Sequence, residues 1–144
     1  MKRFVCIVFL LALFLFACSV EEQTPTIPEG NYTHGIYQLT FKTKMISNDC
    51  VGNDWSFSYT LNGQTIKSGY TITQSLESST FQSIDVKVWE NDKIDDIGTG
   101  TLTVAICEGG SGKTEVTVTE TNGSFKGNTA VWEISCEVKL VGKQ

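Results

Sequence analysis

The chain has 144 residues, 40% hydrophobic and 19% charged, with 16 acidic against 11 basic side chains and a net charge of −5. That length supports one folded core rather than several domains. The acidic balance argues against a nucleic-acid binder, which must neutralise phosphates, and against adsorption to anionic lipid heads.

Met1-Lys2-Arg3 gives a positive start, and Phe4 to Phe16 is free of charge. The stretch is shorter than the roughly 18 to 20 apolar residues of a spanning helix. With Ala17 as the small residue before a cleavage point, it has the layout of a secretory signal. Leu15-Phe16-Ala17-Cys18 resembles the lipobox of bacterial lipoproteins, Phe16 being bulkier than is usual there. The resemblance implies that residues 1–17 are removed and that Cys18 becomes an acylated (palmitate-bearing) first residue. Burial of acyl chains is worth about 0.8 kcal/mol per CH₂, and a triacylated cysteine supplies the more than one chain that stable anchoring needs. Ser19 replaces the aspartate of an inner-membrane retention signal, which points to the outer membrane. Ser19-Val20-Glu21-Glu22 also resembles the acidic signal that exports some lipoproteins to the cell surface; read plainly, it is a solvated tether. The periplasmic side and the cell surface both stay open. Residues 18–34, with Pro25 and Pro28, read as the lipid-bearing cysteine and a semi-extended linker. Loss of Lys2 and Arg3 leaves 9 basic against 16 acidic residues, a mature charge of −7.

Residues 35–144 read as the folded domain. Apolar side chains alternate with polar ones at Tyr37, Leu39 and Phe41, and again at Trp55, Phe57, Tyr59 and Leu61. The pattern returns at Ile84, Val86 and Val88, at Leu102, Val104 and Ile106, at Val116 and Val118, and along Trp132, Ile134, Cys136, Val138 and Leu140. A period of two with one wet face predicts strands, and no segment sustains a helical period. Asn62-Gly63 predicts a type I′ hairpin turn, where both central residues need positive φ. Asn122-Gly123 and Gly127-Asn128 frame another turn. The expected fold is an all-β, antiparallel two-sheet sandwich of seven or eight strands over about residues 35–141. Trp55 and Trp132 fall on buried stripes, whereas Trp89 is out of phase with Val86 and Val88 and is expected on the opposite face.

Cys6 leaves with the signal and Cys18 takes the lipid, so Cys50, Cys107 and Cys136 remain in an oxidising compartment. Three thiols allow at most one intrachain bridge. The preferred pair is Cys107 with Cys136, leaving Cys50 free. His34 is the only histidine and no C-x-x-C spacing exists, which excludes a His-based metal site and a zinc site of that type. Gly109 to Thr114 imitates a phosphate loop, but the first required glycine falls on Cys107 and a strand pattern follows where a helix is needed, so a flexible hairpin loop is expected.

Two acidic segments carry more chemistry. Asp85-Val86-Lys87-Val88-Trp89-Glu90-Asn91-Asp92-Lys93-Ile94-Asp95-Asp96-Ile97-Gly98 is similar to the central signature of C2 domains: a strand ending in an aromatic, spaced aspartates, then Ile-Gly. Asn48-Asp49-Cys50-Val51-Gly52-Asn53-Asp54-Trp55-Ser56-Phe57 resembles the first calcium loop of that family. The likeness covers about residues 36–106. It implies a C2-like sandwich and calcium held by Asp49 and Asp54 from one loop and by Glu90, Asp92 and Asp95 from the other. Glu90 stands where the family carries aspartate. Calcium takes about six to eight oxygens, which two converging acidic loops can supply. Without the family, the same segments read as solvated acidic turns of another sandwich.

One histidine and no motif-supported nucleophile leave little for catalysis, so the chain reads as a non-enzyme. The expected function is a binding module that grips a protein or glycan partner, with calcium shaping its loops. The alternative is a metal-free accessory lipoprotein of an envelope complex.

Overall fold

The computed structural model describes residues 34–67 and 71–143. The signal segment, Cys18 and the linker as far as Thr33 lie outside the described residues. The alternating stripes build eight strands: β1 (His34–Asn48), β2 (Trp55–Leu61), β3 (Gln64–Lys67), β4 (Thr71–Glu77), β5 (Thr80–Glu90), β6 (Asp96–Ile106), β7 (Ser111–Thr119) and β8 (Thr129–Lys143). They form two antiparallel four-stranded sheets, ordered β4-β1-β8-β7 and β3-β2-β5-β6. The expected all-β sandwich is the observed fold.

The inward residues of both sheets make one core. Leu39, Ile84, Val88, Leu102, Val104, Val118 and Ile134 are fully buried. Each such side chain contributes about 1.5–3 kcal/mol by leaving water. Phe41 of β1 stacks on Tyr59 of β2 at 4.1 Å across the two sheets. Trp132 of β8 meets Phe57 edge-on at 4.8 Å and Trp55 at 5.4 Å. The indole N–H groups of Trp55 and Trp132 are buried without an acceptor among the described residues.

Asn62 and Gly63 have φ of 51° and 76°, as a type I′ turn requires, and they join β2 to β3. The segment from Gly109 to Thr114 departs from the expected hairpin loop. Cys107 to Gly110 makes the turn, β7 begins at Ser111, and β6 and β7 belong to different sheets. Lys113 faces Glu133 at 3.5 Å.

Strand direction sets the two ends of the sandwich. β1 enters at His34, opposite Glu77, and leaves at Asn48, opposite Ala130. Glu90 and Asp96 face each other where β5 gives way to β6, and Trp55 sits across from Glu90. Loops 49–54, 91–95 and 120–128 therefore share one end. His34, the last residue of the expected linker and the first of β1, is at the other.

Candidate functional site

The β1–β2 loop is shaped by Asn48. Its Oδ1 accepts the Val51 N–H at 2.9 Å, and its Nδ2 donates to the Gly52 carbonyl at 2.7 Å. Val51 is thereby turned into the core as a plug. Asp49 N–H donates to the Thr129 carbonyl at 2.9 Å, tying the loop to the start of β8. The β5–β6 loop is tied in turn by Asn91: its N–H donates to the Asp54 carbonyl at 2.7 Å, and its Nδ2 reaches Ser56 Oγ at 2.8 Å and Asp54 Oδ1 at 3.2 Å.

Glu90 is the last member of the inward stripe Ile84, Val86, Val88 and is only 7% exposed. Its carboxylate accepts the backbone N–H groups of Asp54 and Asn53. Gly52 has φ of 129°, and a Cβ there would fall 2.3 Å from Glu90 Oε1. Glycine at this position lets the loop backbone lie directly over the carboxylate. Burial holds the Glu90 pKa above the ordinary 4.5; the Asp54 N–H opposes this, Asp92 adds to it, and the smaller effects of the Asn53 N–H and the Asp54 charge oppose each other.

Asp96 opens the inward stripe of β6 and is 2% exposed. Its Oδ1 accepts Thr121 N–H at 2.9 Å and Thr121 Oγ at 2.6 Å, which pins the β7–β8 loop. Glu120, half-buried beside it, is raised by desolvation first and then by the Asp96 charge.

Asp54, Glu90 and Asp92 thus share one electrostatic neighbourhood, and Asp96 and Glu120 join it through Asp92. Asp49 and Asp95 do not join. Both are exposed, and their carboxylates make no hydrogen bond or ion pair among the described residues. Among those residues, no group of three or more His, Cys, Asp or Glu side chains is arranged to hold a metal ion. Of the five residues expected to ligate calcium, Glu90 is turned to backbone N–H groups, and Asp92 Oδ1 accepts the Lys93 N–H.

The Cys107–Cys136 bridge expected from the sequence is not formed. Cys136 lies on the core stripe of β8, Cys107 is buried in the β6–β7 turn, and both are free thiols, as is exposed Cys50. Burial pushes the Cys136 thiol up to about 12. Trp89 takes the outer face, as its phase requires, with Lys87 Nζ 5.1 Å from the ring centre.

The raised carboxyls give this end a pH signature. Glu90 and Glu120 hold protons more tightly folded than unfolded, so their stabilising contribution is complete below the ordinary value of 4.5 and is lost as the pH climbs through their raised values. Melting temperature should therefore carry a downward component from this source above pH 4.5. Glu90→Gln, which keeps an acceptor oxygen but cannot ionise, should reduce that slope. A slope unchanged in Glu90→Gln would place the titration elsewhere.

No known protein-family model matches the chain, and no curated protein is significantly similar to it.

Proposed function

We propose that this chain is an outer-membrane or surface lipoprotein, held by acylated Cys18, whose sandwich is a non-catalytic binding module acting through its acidic loop end on a protein partner with a basic surface. One observation carries the reading. The loop end gathers seven carboxylates (Asp49, Asp54, Glu90, Asp92, Asp95, Asp96 and Glu120) against Lys93 and Lys126, whereas the other described residues carry seven lysines against six carboxylates. The domain's negative charge is concentrated at the end opposite His34, where the tether enters. A lipid at Cys18 would present that end away from the membrane, and such a field speeds encounter with a basic partner. Exposed Ile94, Ile97 and Phe125 on or beside the same loops add apolar contact area.

Two forms of the reading differ in metal. The metal-free form, an accessory lipoprotein of an envelope complex, is favoured by the backbone and hydroxyl donors that already satisfy Glu90 and Asp96. The calcium-dependent, C2-like form is favoured by the negative charges of Asp92 and Asp54 that bear on Glu90. Crosslinking of the full chain in intact envelopes tests both. A discrete crosslinked species is expected, weakened by Asp92→Asn with Asp95→Asn. Its loss in chelator would select the calcium form and its persistence the metal-free form. If no discrete species forms, or if the double variant leaves it intact, the acidic end is not the contact surface. Cys18→Ser should abolish palmitate labelling and release the protein from membranes; retained labelling would refute the anchor.

A further inference from the structure

A shallow trough of about 500 Å³ lies on the outer face of the β3-β2-β5-β6 sheet. Its lining is two rows set by strand register. Thr60, Asp85 and Thr101 form one row across three strands, and Ser58, Lys87 and Thr99 form the next. Trp89 follows in the third row, half-buried on the same face. The trough is thus a carboxylate flanked by hydroxyls and an ammonium flanked by hydroxyls, with an indole in the row beyond its lining.

Asp85 is the open group of this face, whereas Lys87 and Trp89 already meet each other, as do Thr60 and Thr65. Among the described residues the Asp85 carboxylate makes no hydrogen bond or ion pair, and the ammonium of Lys87 has no carboxylate partner and lies over the Trp89 ring. Thr60 Oγ1 lies 3.1 Å from Thr65 Oγ1, the trough's outer hydroxyl on β3. A carboxylate accepts two neighbouring hydroxyl protons, an ammonium donates to hydroxyl oxygens, and an indole face covers C–H groups. Sugar rings present all three features together. The trough also suits a ligand without charge, since its lining holds one carboxylate, Asp85, and one ammonium, Lys87, and the domain's negative charge lies at the loop end. An extended peptide fits less well, because it would take an open strand edge, and β2 and β5 in the floor are both paired on either side.

We propose that this outer face binds a neutral glycan chain. The site is separate from the acidic end and does not depend on it.

The test is native electrophoresis of the full chain, in mild detergent, through gels containing a soluble β-glucan, a xylan, a mannan, an amylopectin, dextran sulfate or gelatin. Retardation by at least one neutral polysaccharide is expected. Asp85→Ala and Trp89→Ala should each weaken it about tenfold, the equivalent of about 1.4 kcal/mol. Asp92→Asn should retain it, and the melting temperatures of the variants should stay close to that of the parent. Free migration in every neutral gel overturns the proposal. So does retardation that both trough variants preserve, retardation by dextran sulfate alone, or retention by gelatin in place of the glycans.

Discussion

Asp96→Ala should destabilise the protein by about 3 kcal/mol, whereas Asp95→Ala, one residue away, should change stability by less than about 0.5 kcal/mol. Asp96 is buried and its Oδ1 takes both the amide and the hydroxyl of Thr121. Hydrogen bonds to a charged acceptor are worth about 1.5–3 kcal/mol each, and a donor left buried costs its desolvation. Relief of the repulsion with Glu120 returns part of that. Asp96→Asn keeps an oxygen for Thr121 and loses the charge, so it should stay within about 1 kcal/mol of the parent. Urea midpoints at constant slope would measure all three variants. Amide exchange at Thr121 should accelerate in Asp96→Ala alone. A larger effect at Asp95 than at Asp96 would mean that the loop is held from its exposed side.

That contrast also shows what the sequence disclosed at this end and what it hid. Leu102, Val104 and Ile106 announced their strand by alternation. Carried backward by twos, the same phase passes Gly100 and Gly98 and arrives at Asp96, so its inward position was readable. The two glycines broke the apolar signal, and family likeness drew attention to Asp95, which is out of phase. Glu90 is a similar case. It was singled out as a ligand, although it continues Ile84, Val86 and Val88 onto the buried face. Its partners, the N–H groups of Asn53 and Asp54, come from a loop more than thirty residues earlier, and no local pattern reports such a contact. Trp89 was legible because phase alone decides which face a strand residue takes. The short strands β3 and β4 carried only Ile66, Ile72 and Leu76 as buried apolar residues, too few for a clear stripe. The run from Gly109 to Thr114 reads in sequence as a flexible hairpin loop because Gly110 and Gly112, which lie close to backbone carbonyls, look the same there as Gly109, which meets nothing within 4 Å.

Gly112→Ala should cost about 3 kcal/mol or more, the upper range for forcing atoms into a packed interior. A Cβ at this position would lie 2.1 Å from the Thr103 carbonyl oxygen, and at Gly98 it would lie 2.4 Å from that of Thr117. Both obstacles are backbone, so no side chain can swing aside. Gly98 against Thr117 and Gly112 against Thr103 mark one antiparallel seam along which β6 and β7, the facing edges of the two sheets, nearly touch. The seam has a functional consequence as well. β6 begins at Asp96 and β7 ends at Thr119, one residue before Glu120, so a wedge driven between these strands would also part Asp96 from Thr121. If the wedge is tolerated, the stability loss of Gly112→Ala should be accompanied by faster amide exchange at Thr121, over 20 Å away at about 3.3 Å per strand residue. In Gly109→Ala, where a Cβ meets nothing within 4 Å, the positive φ should still cost about 1 kcal/mol, but exchange at Thr121 should stay at the parental rate. Equal effects from the two alanines would show that the strands are not in contact at the seam and that the acidic loops are positioned without it.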